Sequence, residues 1–228
     1  MIELLKQDFP AYYGLHRRQI EVLSETTNSE HFDLTDKGVN MIVAYQNGNV
    51  SFDHFCRTEV EVINYEKFLN GLYGTSFERG RKRCDFILYE KGGTKNSFFL
   101  LNEQTSTSGS TVNLSKPILD KNKNVTFSGG KYEKVEVQLV ETLKTLKVVQ
   151  SIASFISKYQ RRICLMSYEI LPLNTVNALS ARKAFTMRYK QVESRATGEN
   201  GAILEHPIMN SEGFEYRRIS HDYSFQLS

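Results

Sequence analysis

Residues 82–105, KRCDFILYEKGGTKNSFFLLNEQT, decide how the rest of the chain is read. Cys84–Tyr89 and Ser97–Glu103 are two aromatic and aliphatic runs with almost no polar interruption, the pattern of strands buried on both faces. Between them lies Lys91-Gly92-Gly93-Thr94-Lys95-Asn96, a turn that glycine closes easily. The stretch predicts a central β-hairpin. A loop of residues 92–96 puts Asp85 directly opposite Glu103, with roughly 5 Å between their β-carbons. Arg83 then faces Thr105 on the same side, since strand side chains repeat every two residues. Two carboxylates this close repel unless they share a proton or hold a divalent cation that favours oxygen ligands. Read without a ligand, they are polar residues at strand ends near the surface.

Composition sets the frame. The 228 residues are 40% hydrophobic and 11% aromatic, enough to bury one sizeable α/β core. The 29 basic and 26 acidic residues give a net charge of only +3, so nucleic-acid binding has to come from local clusters. Cys56, Cys84 and Cys164 occur singly and read as reduced, buried small hydrophobes of a cytoplasmic protein. The five histidines have no H-x-x-x-H spacing and no cysteine nearby, which speaks against structural zinc. There is no run of 18 apolar residues and no apolar N-terminal stretch, so neither a membrane span nor a signal peptide is expected.

A hairpin whose first strand opens with Asp after a Gly and a basic run, and whose second ends in Glu-x-Lys, resembles the core of the PD-(D/E)XK nuclease superfamily. Here those residues are Gly80, Arg81, Lys82, Arg83, Asp85 and Glu103, with Thr105 at the lysine position. The resemblance covers about 25 residues closely. It implies a mixed central β-sheet flanked by helices, hydrolysis of phosphodiester bonds in DNA, with the choice between DNA and RNA left open by the sequence, and Mg²⁺ held by Asp85 and Glu103. In that family the helix before the hairpin often adds an acid, for which Glu66 and Glu61 are the candidates. The missing lysine leaves three readings: a cation from Arg83, Lys131 or Lys134; sufficiency of Gln104 and Thr105; or an inactive site acting as a nucleic-acid-binding or protein-interaction subunit. Restriction, phage defence or DNA repair would be the setting, with a homodimer or partner subunit as the assembly.

Outward from the hairpin, the chain divides into an N-terminal addition (1–56), a nuclease-like core (57–170) and a C-terminal extension (171–228). Helices are expected over 1–8 and 15–25, a loop over Asn28–Lys37, and strands at 39–46 and 49–56 around Asn47-Gly48. Residues 57–74 read either as a helix from a capping box at Thr58 or as a strand followed by a helix that Asn64 caps and Gly71 ends. Arg79, Arg81 and Lys82 form a basic loop suited to phosphate. Residues 105–130 read as a long polar loop, and 131–160 as one helix with Tyr132, Val135, Leu139, Leu143 and Leu146 on its apolar stripe. A buried strand follows at 163–170. The extension is read as a helix at 175–182, a strand at 184–192 carrying Arg188 and Lys190 on one face, a loop over 193–213, and an aromatic and basic segment at 214–225.

Overall fold

In a computed structural model that describes residues 1–15, 20–78, 81–92, 97–171 and 200–227, the two apolar runs are neighbouring strands of a mixed sheet. In chain order the elements are α1 (Ile2–Lys6), α2 (Asp8–Tyr12), β1 (Ser24–Thr27), β2 (His31–Leu34), β3 (Ile42–Val43), β4 (Val50–Asp53), β5 (Val60–Asn64), α3 (Tyr65–Asn70), β6 (Phe86–Glu90) and β7 (Phe98–Ser108). There follow β8 (Ile118–Leu119), β9 (Val125–Phe127), α4 (Gly130–Lys147), α5 (Gln150–Ile156), β10 (Arg161–Leu171), β11 (Ala202–Leu204), α6 (Pro207–Ser211), β12 (Glu215–Ser220) and β13 (Ser224–Gln226). The seven-stranded sheet runs β1-β5-β6-β7-β10-β12-β11. From β1 to β7 the neighbours are antiparallel, whereas β7, β10 and β12 are parallel.

Alternation along the hairpin builds two cores. Ile87, Tyr89, Phe99 and Leu101 pack with Val135, Leu139, Leu143 and Leu146 of α4, together with Phe9, Phe68 and Ile152 from other helices. Phe86, Leu88, Phe98 and Leu100 face the opposite way, against Phe32, Phe52 and Phe225. Those last residues belong to a second sheet, ordered β13-β4-β2-β3. The expected mixed sheet with helices packed on it is therefore present, and its other face is covered by strands. No helix among the described residues is long and apolar enough to cross a membrane.

Several local expectations give way to tertiary pairing. The helix read over 15–25 is replaced at its end by β1, whose Ser24–Thr27 pair with β5; two successive threonines suit an extended edge better than a helix. The loop read over Asn28–Lys37 contains β2, which buries Phe32 and Leu34. No Asn47-Gly48 hairpin forms, because β2 lies between β3 and β4 and pairs with both. Gly48 instead meets β2 closely: a β-carbon there would lie 2.6 Å from both the Leu34 carbonyl oxygen and Asp33 Cβ. The helix read over 131–160 is broken at Val148-Val149, a β-branched pair at which Val149 turns extended with ψ 106°. In the polar stretch 105–130, β7 runs on to Ser108 because β10 pairs with it in parallel as far as Leu171.

Of the two readings of 57–74, strand then helix is the one observed. Asn64 Oδ1 accepts the Lys67 N–H at 2.8 Å and Gly71 ends the helix. Cys84 and Cys164 are buried, while Cys56 is exposed. The stretch read as loop at 193–213 contains β11 and α6 within residues 200–213. The helix at 175–182 and the strand at 184–192, with Arg188 and Lys190, lie outside the described residues.

The start of α4 depends on one glycine. Gly130 has φ +68°, and a β-carbon there would press on the carbonyls of Leu114 and Lys116. Gly130→Ala is expected to destabilise the fold by about 2–4 kcal/mol, combining left-handed strain with the collision. Thermal unfolding should show a fall of roughly 2–4 °C per kcal/mol for a chain of this length. An unchanged melting temperature would contradict this packing.

Candidate functional site

The hairpin register pairs Phe86 with Asn102 and Ile87 with Leu101, so Asp85, just ahead of β6, comes level with Glu103. Both continue the odd-numbered row that faces α4. β7 outruns β6 here, and among the described residues no strand covers its edge beyond Asn102. Side chains cover it instead. Asp85 Oδ2 accepts the Gln104 backbone N–H at 2.7 Å, and the Lys131 ammonium donates to the Ser106 carbonyl.

Helix α4 holds the acidic strand end through Gln138 and Thr142, which share a face with Lys134 at four-residue spacing. Gln138 Nε2 donates to the Arg83 carbonyl at 2.9 Å, and the Cys84 N–H donates to Thr142 Oγ1 at 2.8 Å. From the other side, the N–H groups of Tyr65 and Glu66 donate to the Asp85 carbonyl at 2.9 and 3.2 Å. Residues 83–85 are thus pinned between α3 and α4, and the Asp85 carboxyl inherits that rigidity.

Glu103 is only 3% exposed, and its Oε2 is buried without a hydrogen-bond partner. Burial pushes its carboxyl well above the usual range, and the charge of Asp85 adds to the effect. Lys134 and the Gln138 amide oppose it. Asp85 is pushed up to about 7, again mainly by burial, with Glu66 and Asp36 raising it and the Gln104 N–H and Lys134 lowering it. Near neutral pH the pair therefore retains a proton.

Both groups bind protons more tightly in the folded than in the unfolded chain. The contribution of Asp85 to stability is thus complete below the ordinary carboxylate range and is lost as pH rises through about 7, and that of Glu103 is likewise lost on the alkaline side. Asp85→Asn keeps an oxygen for Gln104 and removes the buried charge. It should raise stability at pH 8 by about 1–2 kcal/mol and change little at pH 4. Melting temperatures of both proteins across that range check this; an offset independent of pH would sink it.

The other sequence candidates take varied places. Glu66, exposed on the first turn of α3, acts electrostatically on both acids. Glu61 lies opposite Tyr89 and 3.6 Å from Lys91, toward the turn of the hairpin. Both terminal nitrogens of Arg83 donate to carbonyls, those of Phe77 and Glu78. Thr105, partly buried, lies opposite Tyr168 of β10. Arg81 and Lys82 are exposed; the Arg81 guanidinium sits 4.5 Å from the Phe77 ring centroid, and Lys82 Nζ sits 5.3 Å from that of Phe127. Arg79 and Gly80 lie outside the described residues. Among the described residues, no group of three or more His, Cys, Asp or Glu is gathered to hold a metal, so the two carboxyls stand as a pair.

A polar cleft of about 330 Å³ opens at the uncovered edge of β7, lined among others by Gln104, Thr105, Lys131, Lys134, Asn49 and Glu169. It lies at the carboxyl ends of β7 and β10, where parallel strands of α/β sheets commonly present ligand sites. Asp36, Asn49, Ser167 and Glu169 reach it from the second sheet and β10, and nothing in their spacing along the chain announces it. Gln138 was legible only as a polar residue opposite the apolar stripe. Lys131 is occupied at the strand edge, whereas Lys134 is the cation that favours the ionised form of both acids. No family model, curated protein or solved structure matches the chain.

Proposed function

We propose that the chain is a metal-dependent endonuclease that hydrolyses phosphodiester bonds in DNA, on a restriction-endonuclease-like core. The observation that carries this reading is the pair of proton-retaining carboxyls, partly buried Asp85 and buried Glu103, within electrostatic reach of Lys134, which lines the neighbouring polar cleft. The element order supports it. A helix (α3), the antiparallel acidic hairpin (β6 and β7), a long helix (α4) and a strand parallel to β7 (β10) succeed one another, the order expected of the resembling family's core.

The donor set suits Mg²⁺. Two carboxyls supply hard oxygens, and the unpartnered Glu103 Oε2 is free to ligate. A bound Mg²⁺ polarises the scissile phosphate and lowers the pKa of a coordinated water. Asp85 and Glu103, in their deprotonated forms, would hold the ion, and the Gln104 N–H and Gln138 keep them in place. Lys134 stabilises negative charge developing on the phosphate, the role the missing motif lysine would fill. Exposed Arg81 and Lys82 are placed to meet the flanking backbone. Such an activity suits restriction or phage defence.

A second reading rests on a specific observation: Asp85 and Lys131 each satisfy the open edge of β7, a sufficient structural reason for both. On that reading the protein binds DNA without cutting it. Incubating wild-type protein with supercoiled plasmid and single-stranded DNA in Mg²⁺ or Mn²⁺ separates the two. Metal-dependent cleavage supports the nuclease; salt-sensitive binding with no cleavage in either metal supports the binding module.

A further inference from the structure

Between β7 and α4 the chain puts out a two-stranded ribbon, β8 and β9, which forms a sheet of its own among the described residues and lines no part of the cleft. Leu119 lies opposite Val125 and Ile118 opposite Phe127, with Thr126 as an extra residue of β9 between the two pairs. Directly opposed residues share a face, and successive residues of a strand take opposite faces. Ile118 and Phe127 are accordingly half-buried together, while Leu119 and Val125 are 52% and 58% exposed on the other face. The turn that closes the ribbon is well tied. Asp120 Oδ1 accepts the N–H groups of Asn122 and Asn124 at 2.8 Å each, and the Lys123 N–H donates to the Asp120 carbonyl at 3.1 Å.

The free charge of the ribbon has one sign. Lys116, Lys121 and Lys123 are exposed, and among the described residues no carboxylate pairs with any of them. Asp120 is the only acid between residues 109 and 132, and its carboxylate is spent on the turn. At the base of the ribbon the Lys82 ammonium lies 5.3 Å from the Phe127 ring centroid, which joins the ribbon to the basic loop that leads into Asp85.

We infer that the ribbon is a DNA-contacting arm that enters the major groove of a duplex beside the acidic pair. The inference rests on the phosphodiester reading and names duplex DNA as the substrate class. A major groove about 12 Å wide admits a two-stranded ribbon. The three lysines meet phosphates along its walls, where each contact releases condensed counterions. Leu119 and Val125 meet base edges, on which thymine presents a methyl group, and the exposed Asn122 amide stands at the tip between two lysines. Lysines beside aliphatic side chains also suit an anionic membrane. Here, however, the tip reads Asp120-Lys121-Asn122-Lys123-Asn124, polar throughout, so the end of the ribbon has nothing to bury among acyl chains.

The test is fluorescence anisotropy in EDTA over a range of salt concentrations, with a labelled duplex and its single strand as probes. Wild-type protein is expected to bind the duplex more tightly than the single strand. The triple variant Lys116→Gln, Lys121→Gln, Lys123→Gln should bind the duplex about tenfold more weakly at low salt and flatten the slope of log affinity against log salt by about 2–3. Leu119→Thr with Val125→Thr, which keeps strand-forming residues, should weaken duplex binding about fivefold while leaving that slope at the wild-type value. Equal binding of duplex and single strand by wild-type protein, or either variant binding the duplex like wild type, would overturn the proposal. So would wild-type protein that ignores the duplex yet sediments with vesicles of equal parts phosphatidylserine and phosphatidylcholine, which would make the ribbon a membrane contact. Because the assay needs no metal, these failures are distinct from an absence of cleavage, which bears on the nuclease reading.

Discussion

Glu103→Gln is expected to reduce metal-dependent DNA cleavage by about a thousandfold or more, with the fold intact. The substitution keeps size and shape, so the change is one of charge and ligand strength. Glu103 is almost wholly buried, and its Oε2 has no other partner, so no second group on this side replaces it as a ligand. An amide oxygen binds Mg²⁺ far more weakly than a carboxylate, and the metal supplies several kcal/mol of charge stabilisation in the transition state. The variant should melt at or above the wild-type temperature at pH 8, because a desolvated charge has been removed. Lost cleavage with raised stability marks a residue retained for chemistry at the expense of the fold. A variant that cuts at the wild-type rate would remove Glu103 from the site.

Lys134→Met is expected to lower the cleavage rate about 10²–10³-fold while metal binding persists. A charged group aimed at developing negative charge in a partly desolvated site is worth this much. The methionine keeps the length that lines the cleft and removes the ammonium. Lys134 also favours the ionised form of both carboxyls, so its loss should move the acid limb of any pH–rate profile upward. Lys131→Met provides the contrast. That ammonium covers the Ser106 carbonyl at the strand edge, and its removal should affect stability more than rate. Comparing kcat and metal affinity for the two variants decides which lysine stands in for the one that Thr105 replaces; a larger rate loss in Lys131→Met would reverse the assignment.

What could be read from the sequence was what the chain states locally and twice over. The hairpin register followed from two apolar runs with matched parity around Gly92-Gly93, and it carried the Asp85–Glu103 pairing with it. Asn64 and Gly71 marked the ends of α3, and the leucine stripe marked α4. What failed was decided by distant partners. β2 looked like a polar loop because only its pairing between β3 and β4 makes Phe32 and Leu34 a buried face. Asn47-Gly48 carried a hairpin signal, yet its glycine serves a close approach to Leu34. Asp36, Asn49, Ser167 and Glu169 converge on the cleft from chain segments more than a hundred residues apart, which no spacing encodes. The acidic pair was visible; the cleft that opens near it was not.

The central claim is that the Asp85 and Glu103 carboxyls, which burial keeps protonated near neutral pH, give up a proton to a divalent cation. Isothermal titration of the wild-type protein with Mn²⁺ near pH 6.5, in two buffers of different ionisation enthalpy, measures binding and proton release together. The account predicts one site that releases about one proton, affinity that rises with pH through about 7, and loss of both signals in Glu103→Gln. Absence of binding, or binding of equal strength and without proton release in both proteins, would contradict it.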